Sequence, residues 1–499
     1  MKKHNNSKVI AALVGVLMTC SGAQAQTVDE RMLTMEDVVR LAQEKSILGM
    51  SYRNQYLSSY WSFRTFKAEN RPALMLSSNL LNFNRSVSEV TKFETGEKAY
   101  RTNYSMTNDV TLSISQNIGL TGGTLVFGTS LNRLDQYDPN RSTSYYAQPL
   151  FLSYSQSLWG FNRFKWNKKI EPLNYEYAKR LYIENMEQVA QTAVRYFWDY
   201  ASAKASYERA ITSFDESKRL YQTALTRFDM GTIDREKLLQ LELSVLKDSL
   251  SLNTTQLQMR TALNQLCSFI GAPENATILL NINYTVPVVA LNYEEVLTRA
   301  LANSSFEMNQ TIQELQADEN VAQAKSNRGF SASVNARFGM SGTAATFDES
   351  FATLQDQEVV GISLTIPIVD WGLGKGRVKM AKAQSERTHS ELEQKMVDFR
   401  QELFTQVTEF NNQYSQCEIS RRAAEIANES YNIALKNFGA GTISVTDMNQ
   451  IRTERDNAVN TYISNIGNFW NSYFGIRKAT LFDYLSGTDI NIEFDKLQE

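Results

Sequence analysis

The sequence FDMGTID (residues 228–234) recurs 210 residues later as FGAGTIS (residues 438–444). Both segments follow the pattern Phe-x-x-Gly-Thr-Ile, and each lies between two long stretches of helical periodicity. The glycine of each segment suits the left-handed conformation that ends a helix. The last residue, Asp234 or Ser444, suits the N-cap of the helix that follows. The sequence therefore predicts two sharp turns, each joining a pair of antiparallel helices.

Very long helices are predicted before both turns. From about Lys165 the apolar spacing stays helical up to Phe228, with no proline after Pro172 and no glycine before Gly231. About 60 helical residues make a rod ~90 Å long, which is more than a globular domain needs. The equivalent helix of the second half is predicted at about residues 375–438.

The helices after the turns carry rows of apolar residues. The first is predicted from about Asp234 to Ile270 and the second from Ser444 to about Leu485. Alternating spacings of four and three residues are typical of a coiled-coil seam. In the first of these helices one row comprises Leu239, Leu243, Leu246, Leu250 and Leu257, and a second row comprises Leu252, Met259, Leu263, Leu266 and Ile270.

Short segments that alternate apolar and small polar residues precede each very long helix. This alternation predicts strands with one apolar and one polar face. The predicted strands are residues 74–83, 108–118, 124–131 and 149–158 in the first half, and 331–340 and 360–372 in the second.

The whole chain is therefore an internal duplication with a period near 210 residues. Each half opens with a helix, predicted in the first half from Leu33 to about Asn70. The segments SQSLWG (155–160) and TIPIVDWG (365–372) mark the same strand-to-helix junction in the two halves. The predicted organisation is a signal peptide at 1–25, a first repeat at 26–285, a second repeat at 286–488 and a C-terminal tail at 489–499.

The N-terminus has the pattern of a secretory signal peptide. Three lysines precede the apolar run VIAALVGVLM (residues 9–18), which is followed by Ala-Gln-Ala at 23–25. The apolar run is too short to span a bilayer as a helix. Cleavage after Ala25 is the first prediction, and lipidation of Cys20 is the alternative.

Composition excludes several classes of function. Residues 1–25 hold three lysines and no acidic residue, which leaves 48 basic against 54 acidic residues in the rest of the chain. This balance argues against a nucleic-acid partner. Only Cys267, Cys417 and His389 remain as cysteines and histidines after residue 25, so we expect no histidine-based catalysis and no multi-histidine metal site. Both cysteines are predicted to be small apolar seam residues and not a disulfide pair.

The strands and the long helices together point to an assembly of several chains. Strands of about 10 tilted residues are long enough to cross the hydrocarbon core of a bilayer. A few strands cannot close a barrel alone, and open sheet edges are not tolerated in lipid. The predicted fold is mixed but mostly α: long antiparallel coiled-coil helices forming a tube, and membrane β-strands that complete a barrel only when several chains assemble.

The order of elements, the duplication, the junction PIVDWG (367–372) and the twin turns resemble the TolC-like outer-membrane efflux proteins. The resemblance covers about residues 30–485. It implies a homotrimer with a barrel in outer-membrane lipid, a helical tube across the periplasm, and neither enzymatic activity nor a metal or cofactor. It also implies that the trimer works with a periplasmic adaptor and an inner-membrane pump, in tripartite efflux or type I secretion. The exported cargo is left open.

The resemblance also implies that the turns form the periplasmic tip, where the channel closes and the adaptor docks. Asp447 occupies a position at which carboxylates narrow the channel, although its spacing from Ser444 also fits a capping box. The usual closing residues are absent, and a pair between Lys237 and Asp447 is a possible replacement. The candidate tip residues are Phe228, Gly231, Thr232, Asp234, Lys237, Phe438, Gly441, Thr442, Ser444 and Asp447.

Three alternatives stay open at this point. The family pattern has two barrel strands per repeat, so an inserted hairpin near 108–131 either enlarges the barrel or lies outside or over it. Trp159 and Trp371 are expected either as interfacial aromatics at the inner side of the membrane or as packing residues at the strand-to-helix junction. A non-channel periplasmic coiled-coil scaffold or adaptor is the alternative function, and the duplication of hairpins and strands argues against it.

Overall fold

A computed structural model describes residues 32–91, 96, 98–138, 140–273, 278–440 and 442–497. The predicted signal peptide, with Cys20 and Ala25, lies outside these residues, as does Gly441 of the second turn. The helices are α1 (Met35–Lys45), α2 (Ile47–Glu69), α3 (Arg163–Asp229), α4 (Arg235–Phe269), α5 (Tyr293–Asn303), α6 (Phe306–Ser326), α7 (Glu349–Ala352), α8 (Leu373–Ala440) and α9 (Val445–Thr480).

Six long strands occur in the order that the sequence predicts, and four two-residue strands are additional to the prediction. They are β1 (Met32–Leu33), β2 (Ala73–Thr91), β3 (Lys98–Ile118), β4 (Gly123–Asp138), β5 (Ser142–Leu158), β6 (Leu279–Leu280), β7 (Ser331–Ala344), β8 (Gln355–Thr365), β9 (Phe482–Asp483) and β10 (Thr488–Asp489).

The chain divides into two compact units, each built from separate stretches. The first unit contains the described residues of 1–50, 188–288 and 410–474. In it, parts of α3, α4, α8 and α9 pack around buried residues that include Phe197, Leu266, Phe410 and Phe469. The rings of Phe410 and Phe469 lie 5.2 Å apart. Cys267 and Cys417 are both buried and free, which confirms that they do not form a disulfide.

The second unit contains the described residues of 51–187, 289–409 and 475–499, and it holds the large sheet. The strand order is β2-β3-β4-β5-β7-β8, and every neighbouring pair is antiparallel. The inserted hairpin near 108–131 therefore belongs to the same sheet as the other strands. The first repeat supplies four strands and the second supplies two, and β2 and β8 are left as open edges of the single chain.

The long helices closely match their prediction. Helix α3 has 67 residues and α8 has 68, so each is about 100 Å long. Among the described helices, none combines the length and apolar character required of a membrane span. Helix α9 is shorter than predicted because Leu481 adopts a positive φ of 51° directly after it, which ends the helix at Thr480.

The opening helix of the first repeat differs from its prediction. Instead of one helix from Leu33 to Asn70, the chain forms α1 and α2 with a break at Ser46. Ser46 is extended, with φ −67° and ψ 144°, and caps α1 through its backbone. Its hydroxyl accepts the backbone N–H of Gly49 at 2.9 Å, so one serine ends the first helix and starts the next. Such local side-chain bonds compete with helix continuation.

The first apolar row of α4 is also not a seam inside the single chain. Leu239, Leu243, Leu246, Leu250 and Leu257 are all at least 50% exposed. The residues of α4 that are buried are Leu241, Ser244, Asp248, Ala262, Leu266 and Cys267. The helix therefore turns a different face towards the other helices of its unit, and the leucine row is left without a partner.

Candidate functional site

One face of the six-stranded sheet carries a continuous apolar band. Direct cross-strand partners form a row that runs through Leu74, Ile114, Phe127, Leu152 and Phe338, one residue from each of five neighbouring strands. Directly paired residues of an antiparallel sheet project to the same face. The row therefore places apolar side chains of β2, β3, β4, β5 and β7 side by side at the same level of the sheet.

Further rows extend this apolar band above and below and carry it onto β8. Leu125, Tyr154, Ala336 and Val360 are successive partners, and Val334 is paired with Ile362. The exposed members of the band are Leu74, Leu76, Val110, Leu112, Ile114, Phe127, Leu150, Leu152, Phe338, Met340, Val360, Ile362 and Leu364. An exposed apolar surface of this extent marks a contact with lipid or protein.

The opposite face of the sheet is polar and small. One of its rows runs through Ser115, Val126, Ser153 and Arg337, and another through Asn117, Thr124, Ser155 and Asn335. Serine, threonine and asparagine dominate it, with few charges. This distribution, apolar on one face and hydroxyl-rich on the other, is the pattern of a membrane barrel wall with an aqueous interior.

The first turn joins α3 to α4 and has the geometry of a helix C-cap. Gly231 has φ 73°, as the sequence predicts. Thr232 donates both its backbone N–H (2.9 Å) and its hydroxyl (2.8 Å) to the carbonyl of Arg227. Asp234 is the N-cap of α4 but makes no side-chain capping bond; its carboxylate lies 4.0 Å from the amine of Lys237 instead.

The second turn repeats the same bonds between α8 and α9. Thr442 donates its backbone N–H (3.0 Å) and its hydroxyl (2.9 Å) to the carbonyl of Asn437. Ser444 and Asp447 form a capping box: the serine hydroxyl donates to the aspartate at 2.7 Å, and the backbone N–H of Asp447 donates back at 3.1 Å. Within the described residues of the single chain no ion pair joins Lys237 to Asp447, and each side chain has the local partner just described.

The two turns contact each other. The guanidinium of Arg227 donates to the carbonyl of Gly439 at 3.1 Å. A cleft of about 510 Å³ between them is lined by both hairpins, with Leu220, Ala224, Leu241, Phe438, Ile443 and Val445 as its apolar wall. Phe438 also packs on the small core formed by Tyr431, Ala434 and Met448. Phe228, at the same place in the first turn, is 37% exposed.

A buried polar network joins α3, α4, α8 and α9 inside the first unit. Arg452 donates to Asp248 at 2.7 Å and to the hydroxyl of Ser217 at 3.0 Å. Ser217 in turn donates to Asp248. This ion pair is largely buried, since the side chains of Arg452 and Asp248 are 16% and 11% exposed.

Tyr431 extends the same network. Its hydroxyl donates to Glu216, and the guanidinium of Arg455 lies 3.9 Å from the centre of its ring. Burial first, and then the neighbouring Glu216 carboxylate, raise the pKa of Tyr431 above its ordinary value, so the phenol stays a hydrogen-bond donor. We refer to Glu216, Ser217, Asp248, Tyr431, Arg452 and Arg455 together as the inter-helix network.

Residues 296–480 match the profile of the outer membrane efflux protein family. The CmeC outer membrane channel of Campylobacter jejuni aligns with a TM-score of 0.65 at 15% identity, over 93% of this chain and 88% of that chain. The fold is that of the TolC-like outer-membrane channels. These two findings confirm the family resemblance that the sequence motifs indicate.

Two further channels support the same fold. VceC, an outer membrane protein of Vibrio cholerae, aligns with a TM-score of 0.62 at 13% identity, over 92% of this chain and 97% of that one. The MtrE outer membrane channel of Neisseria gonorrhoeae, in its open state, aligns with a TM-score of 0.61 at 12% identity, over 92% and 91%. Comparison with curated protein sequences finds no match.

Two tryptophans mark equivalent junctions in the TolC-like fold of this chain. Trp159 follows β5 and has φ 57°; Trp371 follows β8 and has φ 52°. They are 71% and 96% exposed, and Trp159 packs against the ring of Phe330 at 5.1 Å. A positive φ is rare for a bulky residue, so the repetition of this conformation at both strand-to-helix junctions is a property of the fold.

The inter-helix network and Arg227 were missed by sequence reasoning on this TolC-like chain. Their side chains lie on four helices, and Asp248 and Arg452 are 204 residues apart, so no local motif unites them. The one feature of the sequence that could have indicated this network is a polar residue on the apolar face of a predicted helix, as at Asp248. Within the described residues, no group of acidic, histidine or cysteine side chains is arranged to hold a metal ion.

Proposed function

We propose that this protein is a trimeric outer-membrane channel that serves as the passive exit duct of a tripartite efflux or type I secretion system. The observation that carries the proposal is the apolar band, which crosses all six strands on one face while the other face is hydroxyl-rich. A soluble scaffold would have no reason to expose such a band. Lipid of the outer membrane would cover it, and water and cargo would occupy the polar side.

The trimer is supported by two unpartnered apolar stripes on the helices. One is the leucine row of α4, and the other is on α8. The stripe of α8 within the same unit consists of Ile419, Ile426 and Ile433, all more than half exposed. Spaced seven residues apart, they form the kind of seam that packs against another helix.

The two stripes lie at matching heights above the turns. Leu250 is 15 residues after the start of α4, and Ile426 is 14 residues before the end of α8, so both lie ~20 Å along their helices. Leu257 and Ile419 match in the same way at ~30 Å. The α4 stripe of one copy therefore fits the α8 stripe of the next. Such a head-to-tail contact generates a ring when the rotation between neighbouring copies closes, and we propose that it closes at three copies.

The turns are the proposed gate and docking site. In a trimer, the residues around the two turns would surround the periplasmic entrance, with the inter-helix network holding the four helices of each copy together. Opening would require these helices to separate near the turns. An adaptor and an inner-membrane pump would bind at this end and supply both the cargo and the energy.

A charge inserted in the leucine stripe tests the trimer. We expect Leu250→Glu to abolish the oligomer, because three glutamates would be buried against the neighbouring α8 stripes. The control is Ser251→Glu, whose site is exposed but lies about 100° around the helix from Leu250. The measurement is outer-membrane fractionation followed by electrophoresis with and without heating. A soluble monomer of the wild-type chain would refute the channel, and an intact Leu250→Glu trimer would refute the stripe contact.

A further inference from the structure

We propose that three copies of this chain close a barrel of 18 strands, in which the β2–β3 hairpin is part of the lipid-facing wall. The inference rests on the proposed trimer and goes beyond it, because it places the two additional strands of the first repeat in the wall and assigns the width of the outer mouth. Each copy contributes a six-stranded sheet with two open edges, β2 and β8.

The pairing register places the hairpin in the wall. Leu74 of β2 is paired with Ile114 of β3, and Ile114 is paired with Phe127 of β4, so the apolar row continues onto the hairpin without a change of face. Leu76 and Leu112 form a second pair on that face. Leu74 and Leu76 are 67% and 71% exposed in the single chain. In the wall of a barrel these side chains would face lipid, whereas in a hairpin folded over or inside the barrel they would face water.

The apolar part of the hairpin ends where the membrane should end. The register of β2 against β3 shifts between Asn79 and Asn82, and Leu81 there has φ 60°. Beyond this irregularity β2 reads NFNRSVSEVT from Asn82 to Thr91, which is mostly polar. The apolar stretch from Ala73 to the shift is therefore about as long as the apolar segment of β8, its proposed partner.

Strand direction allows the two edges to pair. β2 leaves a helix and β8 leads into one, so they run in opposite directions. Because each copy supplies an even number of strands, β8 of one copy and β2 of the next are antiparallel, like every other pair in the sheet. Pairing them satisfies the backbone groups of both edges, which lipid would otherwise leave without partners.

The extra strands make the barrel wide. Eighteen strands about 4.8 Å apart and tilted by about 40° give a backbone diameter of ~36 Å, whereas a wall without the β2–β3 hairpin would have 12 strands and a diameter of ~24 Å. Barrels of 16–18 strands leave an aqueous channel. The small hydroxyl side chains of the inner face keep that channel open.

Cysteine crosslinking of the full chain tests which strands meet. Cys267 and Cys417 are each 1% exposed and are replaced by alanine to remove background. Leu74, Leu76 or Ser78 on β2 is then changed to cysteine together with Ile362→Cys on β8. We expect at least one of these pairs to yield covalent trimers on oxidation, since a disulfide needs Cα atoms within about 7 Å.

The matched control carries Leu125→Cys on β4 with Ile362→Cys, and we expect no crosslink from it. Crosslinking of β4 to β8 in a conducting trimer would overturn the 18-stranded barrel and leave the proposed channel intact. Absence of any trimer would overturn both. Electron cryomicroscopy of the wild-type trimer gives an independent reading: a barrel ring of ~36 Å supports the inference, and a ring of ~24 Å contradicts it.

Discussion

The guanidinium of Arg452 and the carboxylate of Asp248 form a 2.7 Å ion pair between α9 and α4, with Ser217 of α3 bonded to both. This contact connects the helices of the first turn with those of the second. Because both charges are largely buried, each depends on the other for its partner.

Breaking this pair should loosen the packing of the four helices near the turns. We expect Asp248→Asn to destabilise the local packing by about 3 kcal/mol, because the buried charge of Arg452 loses its counter-ion. In planar bilayers the variant should show a higher single-channel conductance than the wild type. Glu425→Gln, which removes an exposed ion pair with Arg422 on α8, is the control. Equal conductance of all three proteins would exclude the inter-helix network from gating.

Asp447 is a proposed lumen charge as well as a cap, and two variants separate these roles. Asp447→Asn should lower the preference for cations by removing a carboxylate from the entrance in each copy. Ser444→Ala removes the hydroxyl of the capping box but keeps the charge, and should cost about 1 kcal/mol of helix stability. The measurement is the reversal potential in a salt gradient. A shift of equal size in both variants would mean that only the cap matters.

Gly231 should be intolerant of a side chain. Its φ of 73° is left-handed, and no atom lies within 4 Å of the position that an added Cβ would take, so the expected cost of Gly231→Ala is conformational and not steric. We expect a loss of about 1–2 kcal/mol, seen as faster proteolytic cleavage at the first turn. Gly376→Ala is the control, since that position lies in α8, has equal space and has no positive φ. Equal protease resistance would show that the turn relaxes.

Stability should fall as the pH rises through the range in which Glu184 ionises. Burial raises the pKa of this carboxyl, and the backbone N–H and hydroxyl of Ser305, with Lys478 and Arg180, only partly oppose it. The folded state therefore binds the proton more tightly than the unfolded state. The stabilisation is complete below the unfolded pKa and is lost above the folded one.

Replacing this carboxyl by an amide tests the linkage. We expect Glu184→Gln to raise the temperature of thermal unfolding at pH 7.5 and to have a smaller effect at pH 4.5. Glu176→Gln is the control on the same helix, where the carboxylate is half exposed and paired with Lys179. A stabilisation that is independent of pH would show that Glu184 is not the group responsible.

The repeated order of elements could be predicted because each element has a strong local signal. Glycine predicts the end of the helix before each turn, and alternation between apolar and hydroxyl side chains predicts the strands. The full length of the strands could not be predicted from the sequence, because the polar second half of β2 lacks the alternation of apolar and polar residues that indicates a strand. The break at Ser46 could not be predicted, because serine is also compatible with a helix interior. Here its hydroxyl accepts the backbone N–H of Gly49, and this local bond ends the first helix.

At the tip, the sequence predicts the two turns between the helices but not the side-chain contacts that surround them. The twin Thr232 and Thr442 make the same pair of bonds because they occupy the same place in a local motif. The partners of Asp248 depend on which helix faces which, and a coiled-coil periodicity does not contain that information. The leucine row of α4 shows the same limit: its spacing predicts a partner helix but does not tell whether that helix belongs to the same chain.

The chain passes from a helix into the sheet at β2 and from β8 back into a helix. Each hairpin of the sheet therefore begins and ends at the edge of the sheet that joins the helices. A hairpin can therefore be gained or lost without altering which helices follow. In such a lineage the circumference of the wall would change in steps of two strands per copy, while the helical half of the protein stayed constant. Cargo size at the exit and partner recognition at the entrance would then evolve as independent traits.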